Sequence, residues 1–184
     1  MPRVHTLAFA IAIMFGMVGS PSLAADQDAG GGRLPPDGIT VHGRWTIEVL
    51  NPDGTRHARY EFQNALVPVG AAHLASVLAK LVTPSPWSVH LGGSNGLCGN
   101  VQCILRADNG TLSVGAPDTG PNAGTLVLEG RVTVVANGSI ASVSTYQVGP
   151  DTASTRQITG KALPSEIAVV NGQTIRVTVI LSFS

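Results

Sequence analysis

The residues with the most direct route to chemistry are Gly92-Gly93-Ser94-Asn95-Gly96, which have the Gly-x-Ser-x-Gly spacing of a nucleophile elbow. In that motif a sharp strand-to-helix turn exposes a serine hydroxyl for acyl transfer. The elbow needs a helix after the serine, and an acid and a histidine further along the chain. Here Leu97-Cys98-Gly99 follows, and the last histidine is His90. The serine, acid, histidine order of the α/β-hydrolases therefore cannot be met. A chain with 22 glycines also produces this spacing without catalytic cause. A small secreted hydrolase or sugar-active protein using Ser94 stays as the alternative reading, and the leading expectation is that the chain is not an enzyme.

His42, His57, His73 and His90 stand singly, with no His-x-His or His-x-x-x-His spacing to put two imidazoles on one side of a strand or helix turn. Asp108-Asn109-Gly110 and Asp118-Thr119-Gly120 have the composition of turns in which Asx side chains cap their own backbone. Neither alternates acidic ligands as a calcium loop does. Asn109-Gly110-Thr111 and Asn137-Gly138-Ser139 also fit the N-glycosylation pattern. No catalytic set, cofactor or metal site is expected. Cys98 and Cys103 are the two cysteines, and their spacing is not Cys-x-x-Cys. In an oxidising compartment so close a pair closes into a disulfide that pins a loop.

That compartment is indicated by the first residues. Arg3 precedes an apolar run from Leu7 to Gly19, and Ser22-Leu23-Ala24 presents small residues to a signal peptidase. A signal peptide over 1–24 is predicted, leaving a secreted or periplasmic chain of about 160 residues, the size of one domain. The run falls short of the roughly 20 apolar residues of a membrane span, so no span is expected after cleavage. Lys+Arg and Asp+Glu both number 11, which gives no electrostatic reason to expect a nucleic acid or an anionic membrane as partner.

The elements that position these residues are read from periodicity. Asp26 to Gly38 is rich in Gly, Pro and Asp and reads as a flexible segment over 25–38. A domain over 39–184 follows. Trp45, Ile47 and Val49 alternate with Arg44, Thr46 and Glu48, Asn51-Pro52-Asp53-Gly54 makes a turn, and Ala58, Tyr60 and Phe62 return opposite His57, Arg59 and Glu61. Val67, Ala71, Leu74, Leu78 and Leu81 then recur at helical spacing, with His73, Ser76 and Lys80 opposite, which predicts an amphipathic helix over 68–82 ended by Thr83-Pro84. A strand over 87–91 leads into the Gly-rich loop that holds the cysteines.

After Gly124 the pattern is strands only. A hairpin is expected at Asn137-Gly138, strands at 156–163 and 167–170, and a last strand from Thr174 to Phe183. In that last strand Ile175, Val177, Val179, Leu181 and Phe183 share a face. Charged residues make up only 12% of a chain whose second half is crowded with Val, Ile and Thr. With roughly eight strands, that composition predicts a mostly β fold, an antiparallel β-sandwich of immunoglobulin-like or jelly-roll-like kind with one amphipathic helix.

The order of a Trp45 strand, the Asn-Pro-Asp-Gly turn, Phe62-Gln63-Asn64-Ala65-Leu66, the helix with Gly70 near its start, the Trp87 strand and the Gly172-to-Val179 strand resembles small β-sandwich proteins of phage and prophage tails. The resemblance implies a structural or adhesin-like surface module able to form a homo-oligomer. The expected function is thus an exported interaction module for a protein or glycan surface partner. Its expected recognition loop lies between Trp87 and Cys103 and uses Trp87, His90, Ser94 and Asn95.

Overall fold

The computed structural model describes residues 40–100, 102–148 and 155–184. The expected signal peptide and the 25–38 segment lie outside them. Ten elements follow in chain order: β1 (Val41–Leu50), β2 (Arg56–Ala65), α1 (Pro68–Leu78), β3 (Trp87–Gly93), β4 (Cys103–Arg106), β5 (Leu112–Gly115), β6 (Leu126–Thr133), β7 (Gly138–Gln147), β8 (Arg156–Val169) and β9 (Thr174–Phe183). They form an antiparallel β-sandwich of a five-stranded sheet, β2-β1-β9-β6-β5, and a four-stranded sheet, β4-β3-β7-β8.

Alternation builds the core between the sheets. Trp45, Ile47 and Val49 of β1 are fully buried beside Ile175, Val177 and Val179 of β9 and Leu128 of β6, and Val89, Leu91, Leu105, Ile140 and Val143 face them from the other sheet. Trp45 lies across from Phe62 in the β1–β2 register, and their rings stack 6.0 Å apart. The first hairpin forms as expected. Gly54 takes φ +82° there, a backbone angle at which a side chain would be strained.

Several expectations are corrected. The Asn137-Gly138 turn is not a hairpin, since β6 belongs to the five-stranded sheet and β7 to the other. It is a crossover: Gly138 packs so closely on Ser94 that a Cβ there would lie 2.6 Å from the Ser94 Cβ. The strands expected at 156–163 and 167–170 are one strand, β8, which carries Pro164 because it lies at a sheet edge, where a missing N–H breaks no ladder. The short strands β4 and β5 fall in the segment where no strand was predicted.

Helix α1 ends at Leu78, not Val82, with Lys80 at φ 58°. Its inward face is also rotated from the expected one. Gly70, His73, Leu74 and Val77 turn inward, whereas Leu78 and Leu81 are 67% and 79% exposed. His73 therefore does not face solvent, and its Nε2 lies 2.8 Å from Gln147 Oε1. Gly70 sets this phase, since a Cβ there would sit 2.5 Å from the carbonyl oxygen of Ile158. Only glycine lets the helix lie this close to β8.

Candidate functional site

The outward residues of β1 are Arg44, Thr46 and Glu48, and its place between β2 and β9 decides what they meet. Glu48 stands in register with Arg59 on one side and Arg176 on the other, and Arg176 in turn opposes Arg131 of β6. One row, Arg59–Glu48–Arg176–Arg131, thus crosses four strands, about 14 Å at the usual strand spacing. The next row along the strands is Glu61–Thr46–Thr178–Glu129–Ser113.

Glu48 is the anchor. Its side chain is only 14% exposed and accepts hydrogen bonds from Arg56 (3.4 Å), Arg59 (3.1 Å) and Arg176 (3.4 Å). Arg59 also donates through Nε to Glu61 at 2.9 Å. That hydrogen bond, with the guanidinium charge, holds the Glu61 carboxyl below its ordinary value. Both groups are charged at neutral pH. Among the described residues Arg44, Glu129 and Arg131 form no ion pair. Arg131 therefore faces Arg176 across the strands as a like charge, an arrangement that costs a few tenths of a kcal/mol to about 1 kcal/mol.

This face is concave. The Gly110–Thr111 corner leading into β5 forms a wall at one side, and the space over the two rows measures about 680 Å³. A second concavity of about 250 Å³ adjoins it at Arg44 and Ile180, beneath the loop carrying Pro121 and Asn122. Ile180 is an apolar side chain in its floor, and among the described residues no Phe, Tyr or Trp lines either space, His42 being the one ring at the second.

The residues singled out from sequence fall elsewhere and do not share a surface. Trp87 is half-buried and packs against the core. His90 lies on the opposite face of β3, its ring tilted 34° against Tyr146 at 4.3 Å, with Nε2 3.0 Å from the buried Ser88 hydroxyl. Burial, helped by the Arg106 charge and opposed by a hydrogen bond with Gln102, lowers the His90 pKa to about 4. Ser94 lies beyond the far end of the strand, with Asn95 exposed next to it.

The Ser94 hydroxyl accepts a hydrogen bond from the Ser139 amide at 2.9 Å, and the Ser139 hydroxyl in turn donates to Glu166. A turn, not a helix, follows Ser94. Cys98 and Cys103 form the expected disulfide. Asn109, in a turn, accepts from the Thr111 amide (3.1 Å), and Asn137, in the crossover before β7, from the Asn171 amide (2.9 Å). His57 is exposed, and His42 lies 3.4 Å from the Ser184 hydroxyl. Among the described residues no three His, Cys, Asp or Glu side chains are grouped to hold a metal ion, and no helix is long and apolar enough to cross a membrane. Comparison with protein families, curated proteins and solved structures finds no match to this chain.

Proposed function

We propose that the chain is an exported, non-catalytic interaction module that meets a surface partner with the outer face of its five-stranded sheet. The observation that carries this reading is the concave face itself. Its charged side chains rise from β2 and the central strands β1, β9 and β6, Arg56, Arg59 and Arg176 are tied together through Glu48, and among the described residues Arg44, Glu129 and Arg131 are left without ion pairs. Groups fixed in this way lose little freedom on binding, which favours affinity. The apolar run after Arg3 supports export, and the tie of Ser94 to Ser139 supports a structural use of the one serine that resembles a nucleophile.

The sheet edges support a face over an edge as the meeting surface. β4 and β5 are 4 residues each, β8 carries Pro164, and β2 bears Arg56, Arg59 and Glu61, features that discourage strand addition. The test compares the full chain with Thr178→Trp, which fills the floor of the groove, on arrays of glycans and extracellular proteins. Binding by the wild type that the variant loses is expected. No ligand on either array, or equal binding by the variant, would contradict the reading.

A further inference from the structure

Resting on that reading of the groove, we infer that its ligand is an acidic glycan whose uronate carboxylate is held between Arg131 and Arg176. The two guanidinium groups oppose each other across β6 and β9 on one face, one unpaired and the other bound to Glu48 only at 3.4 Å. Two forked donors on directly opposed residues of neighbouring strands suit a planar anion with two oxygens, which offsets their repulsion. The adjoining row offers the hydroxyls of Thr46, Thr178 and Ser113 and the carboxylate of Glu129, donors and acceptors suited to sugar hydroxyls.

Other ligands fit less well. Neutral glucans that bind by stacking find no Phe, Tyr or Trp platform here among the described residues. A carboxylate set among many hydroxyls matches both rows at once.

The test titrates the full chain with polygalacturonate and with its methyl ester, and repeats the titration with Arg131→Gln and Arg131→Lys. Polygalacturonate is expected to bind and the ester not to. Arg131→Gln should weaken binding about ten-fold, and Arg131→Lys, which keeps the charge without the fork, should weaken it measurably. The melting temperature of Arg131→Gln should be unchanged or higher, because Arg131 has no partner to lose. Equal binding of the ester, no binding of polygalacturonate, or wild-type binding by Arg131→Gln or Arg131→Lys would overturn the inference. If Thr178→Trp abolishes binding to an array ligand with which polygalacturonate does not compete, the acidic-glycan assignment falls and the groove remains. If that variant binds as the wild type does, both fall.

Discussion

His90 shows how a sheet can bury a histidine on its outer face. Tyr146 covers the ring and Ser88 lies beneath it, so the neutral form is favoured and the pKa drops to about 4 from an ordinary 6.5. Between those values the unfolded chain holds a proton that the folded chain lacks. Stability should therefore fall as pH is lowered from about 6.5 to about 4, by about 1–2 kcal/mol because water reaching the partly exposed ring screens the charge, with no further change from this group below that window. Denaturant titrations across the window should show the slope in the wild type and lose it in His90→Gln. Ser94 makes a complementary case. Ser94→Ala removes the acceptor for the Ser139 amide and should cost about 1 kcal/mol in the same assay.

At the scale of elements, close approach and burial decide which contacts matter. Gly70→Ala would gain about 1 kcal/mol from helix propensity alone, but its Cβ meets the backbone of Ile158 at 2.5 Å and 2.7 Å. A net loss of about 1–3 kcal/mol is expected, against no more than about 0.5 kcal/mol for Gly115→Ala, where nothing lies within 4 Å. Equal effects of the two substitutions in chemical denaturation would contradict the close packing of α1 on β8.

β9 lies between β1 and β6 and buries Ile175, Val177, Val179 and Leu181, while Phe183, expected on the same face, is 50% exposed at the end of the strand. Each fully buried side chain is worth about 1.5–3 kcal/mol, so deleting Ile175–Ser184 removes about as much as the whole stability of a typical domain. The deletion should abolish the cooperative thermal transition, and an unchanged melting temperature would contradict the central place of β9.

At the scale of the molecule, the parts of the fold written in local alternation were legible and those written in register were not. The strands around Trp45 and Val177 follow from which side chains alternate, and the disulfide from the nearness of Cys98 to Cys103 in a chain expected from its first residues to be exported. The crossover at Asn137-Gly138 carries the same residues as a hairpin, and only the pairing of β6 with β9 and of β7 with β3 separates the two. The phase of α1 was hidden because Gly70, the residue that sets it, carries no hydrophobic signal. The groove was half legible. Arg44, Thr46 and Glu48 read as a wet face, as did Arg59 with Glu61 and Arg176 with Thr178. That these faces lie side by side, with Arg131 completing the row, depends on sheet order.

The most direct test of an acidic glycan in the groove follows the arginine Nε–H and tryptophan indole signals in a two-dimensional NMR titration of the full chain with polygalacturonate. Shifts at Arg131 and Arg176, with Trp87 unmoved, are the predicted result. Shifts confined to residues 87–103, or no shift at any arginine of the groove, would contradict it.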